Sequence, residues 1–312
     1  MSEKPLVSAI IPTYDSADFV VEAVESALAQ SYSNIEVIVV DDGSADDTVA
    51  RLNSRFGSRI RIIQQEHLGP AVARNAGLRA SKGEFAAFLD ADDLWMPEKI
   101  EHSLGPLLRD PKVGVVYTAV RIHELDSGRK YTLPQYTMGG NIAKELFTEC
   151  RGVNTSTLVV RREALDRIGG FDEEFFRAQD WDLMVRLAEQ VEYAHVPEIL
   201  TERRLHPASL SVARRDLYAK YNLLVIQKAV KRRPDLYASL EADALSRAHF
   251  RFGIAFYADF AMAQAREEFR RALDHRWNWG AVNYLLRTFL PVSVVRSLRR
   301  RRLAAQESRG NA

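Results

Sequence analysis

The chain has 312 residues, of which 46% are hydrophobic and 27% are charged, values that are ordinary for a folded water-soluble protein. No apolar run approaches the ~18 residues needed to span a bilayer, and the first residues lack the pattern of a signal peptide. The single cysteine, Cys150, excludes an internal disulfide framework and a zinc site built from cysteines. We therefore predict a cytoplasmic protein of a reducing compartment.

The net charge of +1 conceals a strong asymmetry along the chain. Residues 213–312 contain 20 Lys or Arg and 9 Asp or Glu, which gives a net charge of +11, whereas residues 1–212 carry a net charge of −10. Two segments that differ this much in charge are expected to have different roles. We place the boundary between them near residues 210–216.

Short β-rich runs alternate with helical patterns in the first hundred residues. We predict strands at 7–11, 36–40, 60–63 and 84–89. Helices are predicted from Ser16, as a helix N-cap, and at 48–56 and 70–80. This alternation predicts an α/β fold with a mainly parallel sheet flanked by helices.

The pattern changes after residue 97. Helices are predicted near 98–108 and 180–190, and strands near 113–120 and 156–160. No strand signal follows residue 212, so we predict a C-terminal helical region at 213–312.

Polar and acidic residues follow the predicted strands at Thr13-Tyr14, Asp41-Asp42 and Asp90-Ala91-Asp92. Ligands of parallel α/β sheets bind beyond these carboxyl ends of the strands. Asp90 and Asp92 suit a hard divalent cation and a ribose hydroxyl, although a solvated acidic turn gives the same pattern. Asp41 suits the N–H of a nucleobase, and helix capping is the alternative interpretation.

Three further segments carry candidate groups. The small residues around Arg74 allow a phosphate to approach a helix start, or they reflect tight packing of that helix against the sheet. Asp180, before a predicted helix, is a candidate general base or a helix cap. Arg204 and His206 suit phosphate or metal, or else belong to a structural loop.

The order and spacing of these segments closely resemble the family-2 glycosyltransferases of the GT-A fold. The resemblance covers roughly residues 5–212. It rests on the following segments, in chain order: Pro12-Thr13-Tyr14, Asp41-Asp42-Gly43-Ser44, Arg74-Asn75-Ala76-Gly77, Gly83-Glu84-Phe85, Asp90-Ala91-Asp92-Asp93, Gly169-Gly170-Phe171-Asp172, Asp180-Trp181-Asp182-Leu183 and Arg204-Leu205-His206-Pro207.

The resemblance implies a GT-A catalytic domain at 1–212, with a nucleotide-sugar half at about 5–95 and an acceptor half at about 96–212. It implies Asp180 as the catalytic base, and Asp92 and His206 as ligands of Mn²⁺ or Mg²⁺. The residues implied to bind the nucleotide sugar are Pro12, Thr13, Tyr14, Asp41, Asp42, Arg74, Asp90, Ala91 and Arg204.

Two positions depart from many relatives, which have Glu before the base and Asn after the Pro-Thr-Tyr triplet, whereas this chain has Gln179 and Asp15. Gln179 removes a like charge and is expected to leave Asp180 more easily ionised. The Gln-x-x-Arg-Trp sequence of processive relatives is absent. We therefore expect inverting transfer of one sugar from a nucleotide sugar, with UDP preferred, to an acceptor hydroxyl in polysaccharide, cell-surface glycan or glycolipid biosynthesis.

Two other functions compete with transfer. One is a catalytically inactive nucleotide-sugar-binding or scaffold protein. The other is a nucleotidyltransferase, which needs a Gly/Lys/Arg-rich triphosphate loop that residues 11–19 lack.

The basic C-terminus has two interpretations. Its apolar residues beside Arg299–Arg302 suit a peripheral contact with an anionic membrane, as for a lipid-linked acceptor, or it forms a helical bundle with a solvated end. A glycan acceptor is equally compatible, and no nucleic acid is expected.

Overall fold

The structure is a computed structural model that describes residues 4–132, 138–149, 153–207 and 215–297. It divides into two compact units, Met1–Leu146 with Arg151–Arg214, and Phe147–Cys150 with Arg215–Ala312. The predicted boundary at 212/213, Cys150 and the run Arg299–Arg302 all lie outside the described residues. Within the described ranges, no helix combines the length and the apolar character that crossing a bilayer requires.

The first unit is organised around one nine-stranded sheet among the described residues. The spatial order of the strands is β3-β2-β1-β4-β8-β6-β9-β5, and β7 pairs with β6 outside this order. The strands are β1 (Val7–Thr13), β2 (Ile35–Asp41), β3 (Arg61–Gln64), β4 (Phe85–Phe88), β5 (Leu94–Trp95), β6 (Val113–Glu124), β7 (Arg129–Thr132), β8 (Leu158–Arg161) and β9 (Glu192–Leu205).

The helices of the described residues follow in chain order. They are α1 (Val20–Leu28), α2 (Thr48–Phe56), α3 (Pro70–Ala80), α4 (Lys99–Arg109), α5 (Ala143–Glu149), α6 (Arg162–Ile168), α7 (Gln179–Ala188), α8 (Arg215–Arg232), α9 (Pro234–Tyr237), α10 (Glu241–Ala258), α11 (Met262–His275) and α12 (Trp279–Arg287).

Two halves of the sheet differ in strand direction. β3, β2, β1 and β4 are all parallel, as the alternation of strands and helices predicts. β8 is antiparallel to both β4 and β6, whereas β6 and β9 are parallel. The predicted α/β class is therefore confirmed, with parallel order in the first half and mixed order in the second.

Both faces of the parallel half are covered, which explains why its strands are almost continuously apolar. Along β2, Val37 and Val39 pack into the large core cluster, whereas Ile38 and Val40 pack with Ala73 of α3 on the opposite face. Successive side chains of a strand point to opposite faces, so this alternation follows from strand geometry. The parallel strands are thereby fixed in place, and their carboxyl ends meet at one edge.

The second unit is helical in its described residues, as predicted. Ala265, Phe269 and Ala272 of α11 form its buried cluster with Ala281 of α12. Gly253 of α10 lies so close to Phe269 that an added Cβ atom would lie 2.4 Å from the ring. Small residues at these positions let α10 and α11 pack closely.

Some predicted elements differ from those observed. The predictions omit β5, β7, β9, α5 and α6. The prediction that Ser16 caps the first helix is wrong, because α1 begins at Val20 and the Ser16 hydroxyl donates to the Tyr14 carbonyl at 2.8 Å. The carbonyl of Ser16, not its side chain, accepts the hydrogen bond that starts the helical turn.

Candidate active site

The ends of β1 and β2 lie side by side, since Thr13 and Asp41 are register partners. The carbonyl of Thr13 accepts a hydrogen bond from the Asp42 N–H at 2.8 Å, and its hydroxyl is buried with no partner among the described residues. Tyr14 is exposed, and its ring stacks on that of His67 with 4.0 Å between centroids. Pro12 precedes them at the same strand end.

Asp41 and Asp42 are both buried, but their carboxylates have different partners. Asp42 accepts from the backbone N–H of Leu68 at 3.0 Å and of Gly69 at 2.9 Å, and from the Gln65 amide at 2.6 Å. Within the described ranges, the Asp41 carboxylate accepts only a long bond of 3.4 Å from the Ser44 N–H. Asp42 therefore fixes the loop before α3, whereas Asp41 keeps acceptor capacity for a ligand.

Arg74 lies on the buried face of α3 with its guanidinium near Asp90. Nη2 donates to Asp90 Oδ1 at 2.5 Å, and the guanidinium lies 5.4 Å from the centre of the Phe171 ring. Nε and Nη1 are buried and have no acceptor among the described residues. Buried N–H groups normally have partners, so Nε and Nη1 are available to an acceptor on a bound ligand.

The loop after β4 gathers three carboxylates. One oxygen from each of Asp90, Asp92 and Asp93 lies within 4.8 Å of the others. Burial, with the charge of Asp90 added, raises the pKa of Asp92, and His206 Nε2 lies 3.3 Å from Asp92 Oδ2. Crowded like charges, two of them on partly exposed side chains and one buried, favour a bound cation, and carboxylates with an imidazole suit Mn²⁺ or Mg²⁺.

Asp93 supports this loop. It is fully buried, and burial raises its pKa well above the ordinary value. Its carboxylate accepts from the Ser156 hydroxyl at 2.6 Å and from the backbone N–H of Arg204 at 3.1 Å. Asp93 thus ties the acidic loop to the end of β9. Ala91, between the ligand candidates, turns its methyl group into the core.

Asp180 stands in the first turn of α7, after Ala178, whose φ of +57° is unusual for a residue with a side chain. Its carboxylate accepts from the Trp181 N–H at 2.8 Å. Burial raises the pKa of Asp180, and the positive charge of Arg74 partly opposes this effect. Gln179 adds no charge, as predicted, but burial makes Asp180 harder to ionise than an exposed aspartate.

Arg204 is buried, and its guanidinium is paired with neighbouring groups of the chain. Its guanidinium forms an ion pair with Glu22 and donates to the carbonyl oxygens of Asp92 and Phe19. Glu22, Phe19 and Asp93 were not among the residues predicted for the site. A third acid directly after the Asp-x-Asp pattern was a visible signal for Asp93, whereas nothing in the sequence marks residues 19 and 22 as neighbours of 204.

The profile of glycosyl transferase family 2 matches residues 8–169, just over half of the chain. The chain belongs to this family. The family-2 match includes Asp41, Arg74, Asp90 and Asp92, and it ends before Asp180.

Several curated proteins are similar to this chain in sequence. An uncharacterized glycosyltransferase of Rickettsia prowazekii is 35% identical over 211 residues, which are 65% of each chain. Chondroitin synthase of Escherichia coli is 30% identical over 233 residues, 73% of this chain and 33% of the synthase. Hyaluronan synthase of Pasteurella multocida is 30% identical, over 73% of this chain and 23% of the synthase. The chain spans less than two-thirds of the length of these relatives.

Solved structures show the likeness of fold. TarS of S. aureus in complex with UDP-GlcNAc matches with a TM-score of 0.65 at 16% identity, over 91% of this chain and 89% of TarS. The mannosyltransferase PcManGT of Pyrobaculum calidifontis, in complex with GDP-Man and Mn²⁺, matches with a TM-score of 0.60 at 21% identity. The match covers 90% of this chain and 79% of PcManGT. The GT-A fold predicted from the sequence is confirmed.

Proposed function

We propose that this family-2 member is an inverting, non-processive glycosyltransferase. It moves one sugar from a nucleotide sugar to an acceptor hydroxyl in the biosynthesis of a polysaccharide, cell-surface glycan or glycolipid. The observation that carries the proposal is Arg74, whose Nη2 donates to Asp90, whose charge acts on Asp180, and whose Nε and Nη1 have no acceptor among the described residues. A diphosphate supplies the acceptor oxygens that these groups lack.

The donor is assigned to the edge formed by the parallel strands, within a catalytic domain at 1–212 that has its donor half at about 5–95 and its acceptor half at about 96–212. Asp41 accepts the base N–H, Asp42 supports that position through the 65–69 loop, and Asp90 binds the ribose. Backbone or side-chain contacts with the nucleotide sugar are further assigned to Pro12, Thr13, Tyr14, Arg74 and Ala91. UDP is the preferred nucleotide, as in the UDP-GlcNAc complex of TarS.

Asp92 and His206 are assigned as ligands of Mn²⁺ or Mg²⁺. The crowded carboxylates and the imidazole that faces them fit such an ion, and the mannosyltransferase neighbour binds Mn²⁺. When bound, a divalent ion offsets the charge that builds on the departing diphosphate. Arg204, which contacts the Asp92 carbonyl, is assigned a position near the diphosphate, where it adds positive charge. Arg74 is assigned the direct hydrogen bonds to the diphosphate oxygens.

Asp180 is assigned as the base that takes the proton of the acceptor hydroxyl. Its raised pKa makes its carboxylate a stronger base than an exposed aspartate. The hydroxyl oxygen then forms the new glycosidic bond on the face of the sugar opposite the diphosphate. One displacement of this kind inverts the anomeric centre.

A glycan or lipid-linked molecule is the proposed acceptor. The synthase names of the chondroitin and hyaluronan relatives support a glycan acceptor. A cytoplasmic location with peripheral contact to the inner membrane surface, through the basic C-terminus, suits a lipid-linked one. The apolar and basic surface of the second unit supports that contact.

A donor panel tests the proposed activity. Purified full chain is incubated with UDP-, GDP- and dTDP-linked sugars, with Mn²⁺ or with EDTA, and the released nucleoside diphosphate is measured. We expect release from one donor class in Mn²⁺ and its loss in EDTA. Tight donor binding without any release, with or without acceptors, would favour a scaffold, and consumption of nucleoside triphosphates would favour a nucleotidyltransferase.

A further inference from the structure

The first turn of α1 packs against the segment that carries His206. The ring of Phe19 stacks on the imidazole, with 4.5 Å between centroids and 23° between planes. The same ring lies 5.2 Å from the guanidinium of Arg204. One aromatic side chain therefore touches both functional residues of the Arg204-Leu205-His206 segment.

The backbone around Phe19 is fixed by the same segment. Its carbonyl accepts from Arg204 Nη2 at 3.4 Å, and Glu22, in the first turn of α1, forms an ion pair with Arg204 Nη1. Arg204 Nε donates to the Asp92 carbonyl. Through Arg204, the start of α1 is joined to the loop that carries the acidic residues.

The imidazole itself points at the same loop. His206 Nε2 lies 3.3 Å from Asp92 Oδ2, and the ring is largely buried. His206 follows the last residue of β9, so the strand pairing alone does not fix its ring. Stacking against Phe19 fixes the plane of the ring, and within that plane the contact with Asp92 selects the orientation that presents Nε2.

We propose that Phe19 is a positioning residue for the metal site. It holds the imidazole of His206 so that Nε2 and the Asp92 carboxylate face one divalent ion, and the Glu22–Arg204 ion pair holds Phe19 in place. This inference rests on the proposed function, because the ion is the one assigned to sugar transfer. Groups that orient metal ligands typically affect metal affinity 10–100-fold.

Metal affinity tests the role directly. Binding of Mn²⁺ to full-length protein with UDP present is measured by electron paramagnetic resonance of the free ion. We expect Phe19→Leu, which keeps an apolar side chain but removes the ring, to weaken Mn²⁺ binding about tenfold. Phe19→Tyr keeps the stacking and should retain wild-type affinity. At saturating Mn²⁺, kcat of Phe19→Leu should approach that of wild type while the KM for Mn²⁺ rises.

A double-mutant cycle separates positioning from general damage. In the His206→Ala background, Phe19→Leu should cause no further loss of Mn²⁺ affinity, because the ring it orients is gone. Equal Mn²⁺ affinity of wild type and Phe19→Leu, or an equal loss in both backgrounds, would overturn the inference and leave the proposed function intact. A wild-type chain that neither binds Mn²⁺ nor releases nucleotide from any donor would overturn both.

Discussion

Asp180, which is partly buried, and Arg74, which is buried, bring opposite charges together from two separate elements. Arg74 is held by α3 against the sheet, and Asp180 by the first turn of α7. Burial raises the pKa of Asp180, whereas the guanidinium of Arg74 favours its ionised form. The raised pKa makes the carboxylate a stronger base than that of an exposed aspartate, and Arg74 helps to keep it in the ionised form that a general base needs.

Replacing Asp180 by Asn should separate chemistry from binding. We expect kcat to fall by about 10²–10⁴-fold, because the amide cannot accept the acceptor proton. Binding of the nucleotide sugar should be nearly unchanged, since Arg74 and Asp90 keep their positions. Turnover and calorimetric donor affinity provide the two measurements, and wild-type-like turnover of Asp180→Asn would remove this residue from the mechanism.

The same raised pKa predicts how stability changes with pH. The folded state holds the Asp180 proton more tightly than the unfolded state does, so protonation of Asp180 stabilises the fold. This stabilisation is fully present below the pKa that Asp180 has in the unfolded chain, and it is lost as pH rises through the higher pKa that Asp180 has in the folded protein. The amide of the Asp180→Asn variant carries no charge at any pH in this range. The melting temperature of the variant should therefore exceed that of wild type at neutral pH, and the difference should shrink on acidification. A difference that does not vary with pH would contradict this account.

Several site residues could be recognised in the sequence from the chemistry of their side chains, but the contacts that they make could not be predicted. Asp41 and Asp42 are adjacent and identical in type, and only the fold assigns Asp42 to the N–H groups of the 65–69 loop. Arg204 was expected near phosphate or metal, and nothing in the sequence indicated that Glu22, 182 positions earlier, pairs with it. Such partners depend on tertiary packing, which spacing along the chain does not encode.

At the scale of elements, the parallel half could be predicted and β9 could not. β1, β2 and β4 are buried on both faces and are therefore short apolar runs. β9 contains Pro197 and a run of charged residues, features that argue against a strand. Irregular register with β6 accommodates the proline, and its Glu202 is buried in ion pairs with Arg121 and His123.

α3 illustrates how packing decides between two interpretations of small residues. An added Cβ at Gly77 would lie 2.5 Å from Ile10 Cγ2 and 3.3 Å from Val40 Cγ2, both in fully buried strands. Gly77→Ala should therefore destabilise the protein by about 1–3 kcal/mol through overpacking. Because α3 carries Arg74, displacement of the helix should also weaken donor binding. Chemical denaturation and donor titration measure the two effects.

Gly105 of α4 provides the matched control. It is also a helical glycine of the first unit, but the nearest atom to its added Cβ is 3.8 Å away, on Arg109. Gly105→Ala should change stability by less than about 1 kcal/mol, because the helix propensity that alanine adds is opposed by Pro106, whose ring disfavours helical backbone for a preceding residue with a Cβ atom. Equal effects of the two substitutions would show that helix propensity, not contact with the sheet, governs position 77.

At the scale of the whole molecule, the strong basic charge beyond residue 213 coincides with exposed apolar side chains in the second unit. Trp277, Trp279, Leu286 and Phe289 are all more than half exposed. Arg266 lies 4.4 Å from the centre of the Phe289 ring. Tryptophan and arginine beside aliphatic residues suit the interface of an anionic bilayer. The sequence pattern singled out the residues near 289–295 but not the two tryptophans.

Vesicle binding tests this surface. Trp279 and Leu286 are seven residues apart on α12 and share one face. Replacing both by Ser should weaken binding of the full chain to phosphatidylglycerol vesicles at least about tenfold, because two large apolar side chains no longer leave water. Leu108→Ser, which removes a similarly exposed leucine from α4 of the first unit, should bind like wild type.

The charge contribution to vesicle binding is tested by composition and salt. If arginines attract the anionic surface, wild type should bind phosphatidylcholine vesicles weakly, and rising salt should release it from phosphatidylglycerol vesicles as the charges are screened. The double Ser variant should lose affinity at every salt concentration, since burial of apolar surface is little affected by screening. Wild-type binding that ignores both lipid charge and salt would contradict the role of the arginines, and a double Ser variant that floats with vesicles as wild type does would contradict the role of Trp279 and Leu286. A wild type that binds neither kind of vesicle would contradict a membrane role for the second unit.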